Sequence, residues 1–137
     1  MEKRMSKQDL IKLINTLRLN KEEFWVICSG ALVLRDLLPD AGDLDIAVTN
    51  IGMEELRQNY DLKRLKERFY SISEGIECVD VGKKIHQKYQ PELIGDIYVQ
   101  NIYDYLDYLE ASERQKDKER IPMVKKYIKE NYHVFSV

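Results

Sequence analysis

Apolar positions along the chain alternate between helical and strand-like spacing. Leu10, Leu13, Ile14 and Leu17 recur every three or four residues behind Ser6 and Asp9, a capping-box-like start, and this predicts an amphipathic helix over residues 7–19. Asn20-Lys21 ends it. Phe24-Trp25-Val26-Ile27-Cys28 is a continuous apolar run of the kind a central strand carries. It breaks at Ser29-Gly30. A short, mostly apolar helix is expected over residues 31–38, a turn at Pro39, Asp40 and Gly42, and a second strand over residues 43–49. Asn50-Ile51-Gly52 reads as a turn, and residues 54–69 as a helix interrupted near residues 59–61. Residues 75–82 form a short strand between glycines, and residues 83–91 a polar loop. A further strand covers residues 93–101, with a break at Gly95-Asp96. From Ile102 the pattern is helical again, first with Ile102, Tyr105, Leu106 and Leu109, then with Ile121, Val124, Tyr127 and Ile128. This order of strands and helices belongs to the α/β (α+β) class.

Composition narrows the picture. A length of 137 residues fits one domain, spanning residues 1–137, and is enough to bury a core. The net charge of −2 argues against a protein that coats nucleic acid generally, but leaves room for a local basic patch. Cys28 and Cys78 show neither disulfide-framework nor zinc spacing, and Cys28 reads as a small core residue. His86 has no neighbouring Cys or His and reads as a surface histidine. The first residues lack the apolar run of a signal peptide, and no stretch reaches membrane-spanning length, so a cytoplasmic location without membrane contact is expected. Four of the nine tyrosines lie between Tyr98 and Tyr108; at helical spacing they read as core edges with wet hydroxyls.

The candidate chemistry lies in Asp43-Leu44-Asp45. Two positions apart on a strand, both carboxylates face one side. Side by side they repel, and each then favours a proton or a cation. Mg²⁺ resolves that conflict, because it takes oxygen ligands and needs only one or two carboxylates plus substrate phosphates. The helix expected after Ser29-Gly30 presents free N–H groups suited to an anion.

Strand, small pair Ser29-Gly30, a dozen residues, then Asp43-x-Asp45 on a second strand: this arrangement resembles the signature of the nucleotidyltransferase superfamily of DNA polymerase β. In that family the first member of the pair is usually glycine; here it is Ser29. The resemblance implies the nucleotidyltransferase fold, a small mixed β-sheet flanked by helices, with a core over residues 24–101 and a C-terminal helical pair over residues 102–131. It implies two Mg²⁺ ions held by Asp43 and Asp45, with Ser29 and Gly30 against the nucleotide triphosphate. It also implies a third carboxylate on an adjacent strand that completes the metal site and helps deprotonate the attacking hydroxyl. Asp80, near a strand end, is preferred; Glu77, on the opposite face by alternation, is its competitor, and Asp96 a weaker one. Glu113-Arg114-Gln115-Lys116-Asp117-Lys118 is similar to the Arg-x-Lys-Asp segment of small bacterial nucleotidyltransferase-like proteins, abortive-infection toxin relatives among them. That likeness implies Lys116 at the triphosphate, with Arg114 as helper. On its own the charge run would be a solvated face.

Two functional classes follow. The first is Mg²⁺-dependent transfer of a nucleoside monophosphate from an NTP, ATP among the possibilities, to a hydroxyl on a small molecule, a tRNA end or a protein. The second is a catalytically inactive interaction protein on the same fold, for example one half of a toxin–antitoxin pair with its partner protein. Fold alone does not choose between them.

Overall fold

A computed structural model describes residues 4–132 of the chain, and these divide into two compact units that meet in sequence at Gln100 and Asn101. In the first unit, helix α1 (Lys7–Thr16) begins at a capping box: the Asp9 N–H donates to Ser6 Oγ, and the Ser6 N–H donates to the Asp9 carboxylate. Its inner face buries Leu10 and Ile14. Strand β1 (Phe24–Ile27) runs directly into helix α2 (Cys28–Leu34), which begins three residues earlier than the sequence pattern suggests. Strand β2 (Leu44–Thr49) runs directly into helix α3 (Asn50–Asn59). Asn50-Ile51-Gly52 is therefore the first turn of a helix and not a loop. Thr49 makes it one, since its hydroxyl accepts the Gly52 N–H at 3.1 Å.

Beyond α3 the structure departs from the expected helix. Tyr60 is extended, and after it come two strands, β3 (Lys63–Lys66) and β4 (Phe69–Ser73), before β5 (Ile76–Gly82). Leu62, Leu65 and Phe69 imitate helical spacing. Leu65, 47% exposed, and Phe69, 39% exposed, are in fact half-open side chains of a peripheral hairpin. The last strand expected from sequence is also a hairpin, β6 (Glu92–Ile94) and β7 (Ile97–Val99), turning at Gly95 with φ of +64°.

All seven strands join one mixed sheet in the order β3-β4-β5-β2-β1-β7-β6. β2 is antiparallel to β1 and parallel to β5, and β1 is parallel to β7. Ladder partners share a face, so the register sorts the side chains. Phe24, Val26, Ile46, Val48 and Cys78 point to one face and are buried with Leu10, Ile14, Leu34, Met53 and Leu56 of the helices. The opposite face carries Trp25, Ile27, Asp45, Ala47, Glu77 and Val79. That face buries Trp25 and Ala47, leaves Asp45 and Glu77 half-buried, and holds the candidate site.

In the second unit, helix α4 (Ile102–Ala111) starts where Asn101 accepts the Tyr103 N–H, and helix α5 (Gln115–Asn131) follows. Ile102, Tyr105, Leu109 and Val124 are buried. No helix of the described residues is long and apolar enough to cross a membrane.

Candidate functional site

The site is built on neighbouring ends of β1 and β2. The antiparallel register sets Ile27 opposite Asp45, so the chain leaves β1 for α2 beside the Asp45 carboxylate. Cys28 makes this turn with φ of +60°, a conformation non-glycine residues seldom adopt and one that collects at functional sites. Its N–H donates to Gln100 Oε1 at 3.2 Å. The Gln100 N–H bonds to the Val26 carbonyl, and its own carbonyl accepts from Arg35 at 2.8 Å. Arg35, 1% exposed in its side chain, also pairs with Glu92 at 2.9 Å. A buried guanidinium thus holds α2, Gln100 and the β6 edge in one network around the turn. Arg35 within the apolar run Ala31 to Leu38 was the one sequence signal for this brace, because a buried cation needs partners.

Asp43 lies just before β2 and is exposed; Asp45 lies within it and is half-buried. The parallel register of β2 and β5 sets Glu77 beside Asp45 and Asp80 beside Val48. Glu77 therefore shares the Asp45 face, whereas Asp80 falls on the other. The electrostatics of two neighbouring groups follow the same division. The Asp45 carboxyl is pushed up to about 6, first by burial, then by the charges of Glu77 and Asp43. The Cys78 thiol is pushed up to about 12 by burial and then by the charge of Asp80. Asp80 also accepts the Gly82 N–H at 3.0 Å, closing the end of its own strand. The structure thus brings together Asp43, Asp45 and Glu77, and leaves Asp80 apart. Position at a strand end favoured Asp80; the register between two strands, which no local pattern encodes, favours Glu77.

The remaining sequence candidates fall as follows. Ser29 is half-buried in the first turn of α2. Gly30 is buried and faces inward. A Cβ there would stand 3.0 Å from Val26 Cγ1, so its small size serves the packing of α2 on β1. Asp96, in the β6–β7 turn, is ion-paired to Lys21 at 2.9 Å, and that bond lowers its carboxyl below the usual range. Arg114 and Lys116 stand at the start of α5 in the second unit. Arg114 reaches the buried Asp117 at 3.7 Å, while Lys116 is exposed. Asp117 accepts from the Ser112 and Tyr108 hydroxyls, and the Ser112 bond above all holds its carboxyl low.

Chemically, Asp43, Asp45 and Glu77 are hard oxygen donors in mutual repulsion, which fits a divalent cation that shares its sphere with phosphate oxygens. Among the described residues no group of three or more His, Cys, Asp or Glu side chains is arranged to hold a metal ion. No family model, curated protein or solved structure matches the chain.

Proposed function

We propose that the chain is a Mg²⁺-dependent nucleotidyltransferase that moves a nucleoside monophosphate from an NTP to a hydroxyl. One observation carries this reading: Asp45 is half-buried against two further carboxylates, at a strand end that abuts a strained strand-to-helix turn. Such a cluster favours a cation or a proton over three bare charges. Asp43 and Asp45 would hold the metal, which when bound supplies neutralisation of the triphosphate and of the leaving pyrophosphate. Ser29, two residues beyond the ladder partner of Asp45, would meet the nucleotide. Glu77 takes the role of general base and accepts the acceptor hydroxyl's proton. The acceptor oxygen then bonds to the α-phosphorus as the bond from that phosphorus to the pyrophosphate oxygen breaks.

The test is pyrophosphate release from each of the common NTPs with Mg²⁺ and with alcohols, tRNA or protein hydroxyls as acceptors. Release that disappears in Asp45→Asn supports the transferase. Saturable Mg²⁺–NTP binding without release would instead support the non-catalytic interaction protein.

A further inference from the structure

The row of residues through the acidic site continues to the edge of the sheet. Asp45 is registered with Glu77, Glu77 with Ser71, and Ser71 with Lys63. One row over, Ala47 is registered with Val79, Val79 with Phe69, and Phe69 with Lys66. Lys63 and Lys66 are three apart in sequence, yet a register shift between Arg64 and Lys66 returns both to this face. The acids and the two lysines therefore lie on one face of the sheet, with three strand spacings, about 14 Å, between Asp45 and Lys63.

This edge is strongly basic in a chain of net charge −2: residues 63–70 hold Lys63, Arg64, Lys66 and Arg68 against Glu67 alone. β3 is exposed at every position, and among the described residues Lys63, Lys66 and Arg68 form no ion pair. Between the lysines and the acids stands the half-open Phe69 ring, with Lys66 Nζ 5.3 Å from its centroid. Cations that follow a backbone of phosphates, beside an aromatic ring on which a base can stack, are the two elements of sequence-tolerant single-strand binding. An acidic peptide would use the cations but make no stacking use of the ring face.

We infer that the β3–β4 hairpin binds single-stranded nucleic acid, with phosphates on Lys63, Lys66 and Arg68 and a base on Phe69, its end directed along the face toward Asp45 and Glu77. Binding by the hairpin stands independently of the transferase reading. That the bound strand is the hydroxyl acceptor rests on it.

The test is fluorescence anisotropy of the full chain with labelled single-stranded RNA and DNA of about 16 nucleotides. Three phosphate contacts on a single strand give a slope of log affinity against log salt near −2, or roughly a 20-fold loss between about 50 and 200 mM salt. Lys63→Glu with Lys66→Glu should weaken binding at least about tenfold, since two phosphate contacts become repulsions. Phe69→Ala should weaken it by about five-fold or more at unchanged salt slope. Circular dichroism confirms that these exposed-edge variants stay folded. Wild type that fails to bind either strand at low salt, or a double-lysine variant that binds as wild type does, overturns the inference; the lysines would then serve only to keep an open sheet edge from pairing with other chains. Equal affinity for an acidic peptide, unaffected by Phe69→Ala, also overturns it. Pyrophosphate release onto a small alcohol with no strand binding would remove this inference and keep the transferase. Strand binding with no release would do the reverse.

Discussion

Glu77 is the ladder partner of Asp45 across the parallel strands β2 and β5, while Asp80, three residues later, is the partner of buried Val48. Strand alternation makes these two acids inequivalent however close they lie in sequence. If Glu77 is the proton acceptor, Glu77→Gln should lose about 10²–10⁴-fold in turnover with little change in NTP affinity. Asp80→Asn should stay within a few-fold of wild type. The reverse order, read by pyrophosphate release, would return the role to Asp80.

The same relationship has a signature that needs no substrate. Charge on Glu77 raises the Asp45 carboxyl pKa. Glu77→Gln should therefore lower it, read by carboxyl-carbon NMR titration, and Asp80→Asn should leave it in place. Burial, the larger cause, persists in both variants, so Asp45 should remain above the ordinary value of 3.8.

Stability should follow from the direction of that shift. Asp45 rises from 3.8 to about 6 on folding, so between these pH values the folded chain binds more protons than the unfolded one. The ionised carboxylate thus destabilises the fold, by nothing below about pH 4 and by the full amount above about pH 6. Asp45→Asn should raise thermal stability at pH 7.5 by about 1–2 kcal/mol, a figure reduced for a site that solvent partly reaches. The gain should vanish toward pH 4. A gain that is constant with pH would mean Asp45 does not titrate abnormally.

Arg35 tests the brace beneath the turn. Its buried guanidinium bonds Glu92 and the Gln100 carbonyl. Arg35→Ala removes both of these bonds and the buried charge that makes them, and should cost about 3 kcal/mol or more in chemical denaturation. A cost under about 1 kcal/mol would place the pair among weak surface bridges.

Much of the sheet's centre is legible in sequence. The apolar run from Phe24 to Ile27 and the segment around Asp43 and Asp45 read correctly as strands, because a central strand buried on both faces carries a nearly continuous apolar run. The hairpin from Lys63 to Ser73 is not legible, since half-exposed Leu65 and Phe69 follow helical spacing by accident. The acid that joins Asp45 is hidden for a different reason. Register between strands distant in sequence is a tertiary property, and only pairing of β2 with β5 selects Glu77. Gly30 looked like a close approach to phosphate, but its small size answers to Val26 within the core.

The central claim is that Asp43 and Asp45 hold a nucleotide through a divalent cation. Isothermal titration calorimetry of the full chain with NTP, in millimolar Mg²⁺ and then in EDTA, measures this directly. The account predicts saturable binding with Mg²⁺ that is lost in EDTA and in the Asp43→Asn, Asp45→Asn double variant, while that variant remains folded. Binding that persists in EDTA or in the double variant, or no binding of any NTP by wild type, would contradict it.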